Sequence, residues 1–304
     1  MWIGNVFNVF QEVTPIMASK KGMGWIPDLP DHRDFSCQHK DIAPLLKKVG
    51  VETPKASLAT KIDLRKWFSP IENQGQLNSC TANAGVGLLE YYERRAFGKH
   101  IEGSRLFLYK ATRNLLGSSS DDGAYLRTTM GAMALFGICP ENYWRYDPEY
   151  VNIEPPAFCY AFASNYQALK YVRLDQPSLS PDELIKRIKT NLSAGLPSIF
   201  GFTVFSSIVE ADSSGKIPFP EPKEKVEGGH AVVAVGYDDD IKIKNSNPAA
   251  KETTGAIIMR NSWGDDWGEK GYGYLPYQYI MTGDALDWWT LLKNEWTDTG
   301  NFSL

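Results

Sequence analysis

Histidine and cysteine are both scarce in this chain, at four residues each out of 304. Cys37, Cys80, Cys139 and Cys159 show no framework spacing, which argues against a disulfide-stapled fold. His32, His39 and His100 lie far from any paired cysteine or histidine and read as solvated or capping side chains, so no metal site and no cofactor is expected. No apolar run approaches the ~18 residues of a membrane-spanning helix. Charge of one sign is missing as well. The net charge is −4 with signs interspersed, which excludes a basic field for nucleic acid or an anionic membrane. Met1 to Lys21 is mildly apolar, but Asn5, Asn8, Gln11 and Glu12 interrupt it and no basic residue precedes it. A secretory signal has the opposite arrangement, so a cytoplasmic protein is expected. Internal repeats and low-complexity tracts are absent.

What is present is apolar material: 43% of residues are hydrophobic and 12% aromatic, enough for one large core or two modest lobes. The chain is organised around Gln74-Gly-Gln-Leu-Asn-Ser-Cys80-Thr-Ala-Asn-Ala84. Gln74 and Gly75 break any regular pattern, and Asn78 and Ser79 suit a helix cap. Beyond them Ala82, Val86, Leu89 and Ala96 recur at helical spacing, with Gly98 as a stop. Cys80 therefore stands in the first turn of a helix. There the macrodipole favours thiolate over thiol. Taken alone, a single cysteine reads as a buried structural residue.

Residues 1 to about 56 differ in texture from the rest. Gly22 to Phe35 carries two prolines and three aspartates around Trp25 and Phe35, which predicts extended chain lying on a surface. Asp41 to Val51 predicts a short helix with Pro44 in its first turn, and Pro54 to Ala59 reads as a linker. Helices are predicted over Ser104–Leu116 and Leu126–Phe136. From about Gln167 the pattern changes. Ser180-Pro-Asp-Glu183 opens a capped helix with Leu184, Ile188 and Leu192 as its stripe. Short runs at 198–205, 230–237, 256–261 and 272–276 then predict antiparallel strands in a small barrel-like sheet. The fold class is α+β, with a helical lobe, a β lobe and a cleft between them.

Two further stretches change the meaning of Cys80. Gly228-Gly-His230-Ala-Val-Val-Ala-Val-Gly-Tyr237 places a histidine at a strand entrance, and Asn261-Ser-Trp263-Gly-Asp-Asp-Trp-Gly-Glu-Lys-Gly-Tyr272 ends another strand. Cysteine, then histidine and asparagine some 150 to 180 residues later, is the order of papain-like proteases. The family's Gln-Gly-x-Cys-Gly-Ser-Cys-Trp is similar to Gln74–Thr81. Its His-Ala-Val-x-x-x-Gly-Tyr resembles His230–Tyr237, and its Asn-Ser-Trp-Gly-x-x-Trp-Gly-x-x-Gly-Tyr resembles Asn261–Tyr272. The resemblance implies a two-lobe papain-like fold and a cysteine endopeptidase acting on peptides or proteins through a thioester acyl-enzyme. It implies Cys80 as nucleophile, His230 as its proton partner and Asn261 as the residue that orients the imidazole. Gln74 would donate to the oxyanion, and Trp263 would shield the histidine–asparagine bond. Asp122-Gly123 stands where the family has a Gly-Gly pair that holds substrate backbone, which makes Gly123 a candidate for that contact.

The match has departures. Thr81 replaces the family's tryptophan, and Asn78 a glycine. Leu77 stands where the family has a disulfide-forming cysteine, which fits a reducing compartment. Asp238 to Thr254 is an insertion, read as a solvated hairpin with calcium binding as the alternative. By this resemblance the peptidase domain spans 57–304 and residues 1–56 form an extension. The extension either covers the cleft as a propeptide or straps the fold elsewhere. The alternatives to an endopeptidase are an exopeptidase or transpeptidase on the same scaffold, or an inactive peptide-binding relative. Side-chain preference and oligomeric state are not specified by these motifs.

Overall fold

The computed structural model describes residues 21–51 and 57–294. Most of the expected apolar start and half of the linker at 54–59 lie outside the described residues. Seven helices and seven strands follow in chain order among those described. They are α1 (Ala43–Lys48), β1 (Lys61–Asp63), α2 (Cys80–Phe97), α3 (Arg105–Leu116), α4 (Leu126–Leu135), α5 (Ala157–Ala163), β2 (Ala168–Arg173), α6 (Pro181–Ser193), β3 (Ser198–Phe205), β4 (Val226–Ile243), β5 (Thr253–Arg260), β6 (Tyr272–Pro276), α7 (Tyr277–Thr282) and β7 (Ala285–Asn294).

Helix α2 is the axis of the first lobe. From Cys80 to Glu93 every residue is buried, because α3, α4 and β4 close around it. A helix buried on all faces has to be small where neighbours come close, and Ala82, Ala84, Gly85 and Gly87 meet that need. Gly98 ends it in the left-handed conformation, as its position in the sequence suggests. Its start differs from expectation. Ser79 makes no side-chain cap; its hydroxyl goes to Tyr146 at 2.6 Å, so a tertiary contact has taken the capping atom. The reciprocal capping box of Ser180 and Glu183 does form at the head of α6.

The second lobe is a seven-stranded antiparallel sheet ordered β2-β7-β3-β4-β5-β6, with β1 on β4. It is an open sheet and not the barrel-like closure expected from the short strands. The reason is the length of β4, whose first half pairs with β3 while its second half pairs with β1 and β5. The open edges are covered: Arg173 of β2 donates to the Phe35 carbonyl, and Tyr274 of β6 is bracketed by Gly215 and Ile217. Strands β2 and β7 carry no clean alternation of polar and apolar residues, so neither is apparent from periodicity. The 238–254 insertion prolongs the β4–β5 hairpin, with Lys242 opposite Thr254 and Ile243 opposite Thr253.

A buried ionic chain stitches the lobes together. Arg260, the last residue of β5, donates to the carbonyls of Ser69 and Pro70, each at 2.7 Å, and Ser69 Oγ donates to Glu90 of α2 at 2.5 Å. Gly87 leaves the room on α2 that the Arg260 guanidinium occupies. Removing the guanidinium leaves the Ser69 and Pro70 carbonyls without their donor, and each buried polar group left unpaired costs about 1–3 kcal/mol. Arg260→Ala should therefore lower unfolding stability in urea by about 2–5 kcal/mol. A loss below ~1 kcal/mol would mean that the chain carries no such weight.

Candidate active site

Five of the six residues expected to matter meet at the seam between the lobes. Cys80 opens α2, Gln74 lies on the loop before it, His230 is on β4, and Asn261 and Trp263 follow β5. All five are buried. His230 Nε2 and Asn261 Oδ1 are 2.7 Å apart, and the same oxygen accepts the Ser262 N–H at 2.8 Å. An amide oxygen only accepts, so Nε2 carries the proton and Nδ1 is the bare nitrogen. That Nδ1 is buried without a hydrogen-bond partner. The Cys80 sulfur accepts the N–H of the next residue, Ala231, at 3.3 Å. The Trp263 ring stacks on the imidazole at 4.5 Å between centroids and closes that side to water.

Gln74 is fixed from behind. Its amide N–H donates to the Ser262 carbonyl at 2.8 Å, and Ser262 Oγ donates to Gln74 Oε1 at 2.6 Å. These bonds leave Nε2 to point forward, where it donates to Leu77 O at 2.8 Å and to Met23 O at 3.2 Å. Cys80 N–H donates to the same Met23 oxygen at 3.5 Å. Two donors flanking the thiol therefore converge on one peptide carbonyl.

That carbonyl belongs to the N-terminal segment, which runs through the cleft as an added strand. Gly22 N–H donates to Gly75 O and its carbonyl accepts from Trp263 Nε1. Gly24 and Trp25 donate to Gly229 O, Ala124 donates to Gly24 O at 2.8 Å, and Ile26 donates back to Ala124 O at 3.1 Å. The walls leave little space: a Cβ on Gly24 would overlap Asn78, and one on Gly123 would overlap Gly24. The sixth candidate, Gly123, thus lies against the segment. Its own N–H goes to the Tyr109 hydroxyl, and the strand bonds come from Ala124. Further along, Arg127 pairs with Asp28 and Asp34, and the buried Arg173 pairs with Asp34, Asp175 and Asp287.

Burial sets the electrostatics. With Met23 and Trp25 overhead, desolvation pushes the Cys80 thiol up to about 12, against the pull of the surrounding backbone N–H groups. It pushes His230 down to about 4, although the bond to Asn261 works the other way. The helix terminus expected to favour thiolate is in place, but in this covered state desolvation outweighs it. Sequence reasoning missed Met23, Ser262, Ala124, Arg173 and Asp287. Only the Trp25 stretch carried a signal, its extended character. Among the described residues, one group of potential metal ligands is present: Glu90 of α2 with His100 and Glu102. Both Glu90 oxygens are already engaged, by Gly103 N–H and Ser69 Oγ.

An α+β fold with a helix-borne cysteine facing a histidine–asparagine pair across a two-lobed cleft defines the class of papain-like cysteine peptidases. The chain belongs to the papain family of cysteine proteases, whose pattern matches residues 58–282. It is 33% identical over 289 residues to an uncharacterized peptidase C1-like protein of Acanthamoeba polyphaga mimivirus, covering 89% of this chain and 86% of that one. Against chymopapain of Carica papaya it is 26% identical over 290 residues, covering 91% and 68%. Among solved structures, xylellain, a cysteine protease from Xylella fastidiosa, superposes with a TM-score of 0.70 at 34% identity, covering 90% of this chain and 96% of that one.

The covering of the thiol is open to a direct measurement. In the full chain, iodoacetamide labelling of Cys80 should be slow at pH 7.5 and should keep rising through pH 10, as thiolate forms toward a pKa of about 12. A rate that levels off below pH 8 would show a preformed thiolate and an open site.

Proposed function

We propose that this chain is a cysteine endopeptidase held covered by its own N-terminal segment. The observation that carries this reading is the Met23 carbonyl. It lies within reach of both Gln74 Nε2 and Cys80 N–H, next to the sulfur. A pair of donors aimed at one peptide oxygen beside a nucleophile is what amide hydrolysis uses to stabilise an oxyanion.

In the proposed reaction the segment has left the cleft and Cys80 regains water and the helix dipole. Transfer of its proton to the bare Nδ1 of His230 then gives a thiolate–imidazolium pair. The sulfur attacks the scissile carbon, and the oxyanion takes the place of the Met23 oxygen. His230 gives its proton to the leaving amine, and water, activated by the same nitrogen, hydrolyses the thioester. Asn261 keeps the ring turned so that Nδ1 faces the sulfur, and Trp263 keeps water from that bond. Backbone pairing at Ala124 and Gly229 would hold substrate as it holds Gly24 to Ile26.

Endo- rather than exopeptidase action is supported by the path of the segment. It enters past Gly75, crosses Cys80 and leaves past Ala124 toward Asp34, so chain continues on both sides of the reactive centre. A block at one end of the groove, as exopeptidase action calls for, finds no support among the described residues.

Removing residues 1–56 should raise peptidase activity without loss of folding, and Cys80→Ala in that form should abolish it. Within the same form, Gln74→Ala should lower kcat by about 10²–10³ with little change in KM. If truncation lowers the melting temperature and leaves specific activity unchanged, the segment is a structural strap and not an inhibitory cover.

A further inference from the structure

Tyr146 lies on the loop between α4 and α5, and its hydroxyl meets the loop before Cys80 at two points. It donates to the Gln74 carbonyl at 3.0 Å and lies 2.6 Å from Ser79 Oγ. A phenol has one proton and a carbonyl oxygen only accepts, so that proton is on the Gln74 bond. The Ser79 hydroxyl must therefore donate to Tyr146. Ser79 Oγ in turn accepts from Asn83 Nδ2 at 3.1 Å. The result is a directed chain, Asn83 to Ser79 to Tyr146 to Gln74, in which each bond polarises the next. Its serine and its glutamine are fully buried.

The two residues that this chain joins carry the two N–H groups that meet the Met23 carbonyl. Gln74 supplies one from its side chain, and Ser79 shares a peptide unit with the other, Cys80 N–H. The ring of Tyr146 is itself fixed. The Arg105 guanidinium stands 4.3 Å over it and pairs with Glu72 and Glu141, and Glu141 also accepts the Tyr146 N–H. Packing alone asks for a ring at this place, not for a hydroxyl. Without that hydroxyl, Ser79 has an alternative partner in the N–H groups of the first turn of α2, where a serine ordinarily caps. The Gln74 carbonyl loses its donor at the same time.

We propose that Tyr146 is a positioning residue for amide hydrolysis, holding Gln74 Nε2 and Cys80 N–H at the spacing that an oxyanion needs. The inference rests on the peptidase reading above and adds to it a residue outside its motifs. Burial pushes the phenol up to about 12, against the pull of Ser79 and Arg105, so the chain keeps its protons through neutral and mildly alkaline pH.

Tyr146→Phe removes the hydroxyl and keeps the ring. The experiment uses the full chain carrying Trp25→Ala, which takes away the indole packed against Gly201 and Gly229 and so loosens the covering segment. Peptide hydrolysis and iodoacetamide alkylation of Cys80 are measured side by side, since only the first builds an oxyanion. Tyr146→Phe should lower kcat by roughly 10- to 100-fold, with KM and the alkylation rate within about twofold and the shape of the pH profile unchanged. Ser79→Ala breaks the same chain one link earlier and should also lower kcat. The double variant should be no slower than Tyr146→Phe alone. An unchanged kcat, a rise in KM alone, a parallel loss of alkylation or additive effects in the double variant overturns the proposal. If Tyr146→Phe does not fold, Ser79→Ala is judged by the same split between kcat and alkylation.

Fast alkylation of the Trp25→Ala chain without peptide cleavage means that the peptidase reading has failed, whereas slow alkylation means that the segment still covers the site. In either case, or if that chain does not fold, the hold of Tyr146 is read from amide hydrogen exchange in the full chain with Trp25 intact. There Tyr146→Phe should speed exchange of the Cys80 N–H roughly 10-fold and leave β5 unchanged. Equal rates at Cys80, or a rise spread over β5 as well, overturn the positioning role.

Discussion

The geometry of this molecule depends on the pair of hydrogen bonds between Gln74 and Ser262. One joins main chain to main chain and the other joins hydroxyl to amide oxygen, and both cross the seam between the helical and β lobes. Because Ser262 adjoins Asn261, and Gln74 lies on the loop that leads into Cys80, they set that loop against the histidine–asparagine pair. The two N–H groups that meet the Met23 carbonyl, Gln74 Nε2–H and Cys80 N–H, are set in place by the same contact. A loop that had to order itself around each substrate would lose side-chain entropy at every turnover; here that cost is met on folding. The deeper tie, Arg260 through Ser69 to Glu90, holds the lobes from behind so that the front contact does not bear strain.

Much of this was legible in the sequence, for a physical reason in each case. Cys80 to Gly98 reads as a helix because small and apolar residues recur along it and glycine closes it. The strands at 198–205 and 272–276 match their sequence-based bounds to the residue; Pro197 marks the start of the first, and Gly271 and Pro276 bound the second. His230, Asn261 and Gln74 stand out because each lies in a motif with flanking glycines that survive only where backbone must pass closely. What was not legible depends on partners distant in the chain. Strand β7, with Asp287 in a left-handed turn and three charged or aromatic neighbours, has no periodicity of its own; β2 and β3 make it a strand. Ser79 looks like a cap until Tyr146 takes its hydroxyl. Met23 carries no signal at all, because its role is played by a backbone carbonyl that every residue possesses.

The N-terminal segment shows how the pieces reinforce one another. Glycines at 22 and 24 let it lie flat between the walls, prolines at 27 and 30 stiffen its exit, and aspartates at 28 and 34 clamp it to Arg127 and Arg173. A single strand bond contributes only about 0.5–1.5 kcal/mol, and the ion pairs range from the partly buried Arg127–Asp28 to the buried Arg173–Asp34. Together they order one stretch of chain in one register over the thiol.

The buried state of Cys80 also bears on chemistry other than peptide cleavage. A thiolate is the form that peroxide oxidises and electrophiles alkylate, and over-oxidation to the sulfinic acid does not reverse on its own. With burial favouring the protonated thiol, Cys80 is kept in the form that oxidants attack least. The strand that lies over Cys80 thereby also keeps its sulfur in the form that resists oxidation.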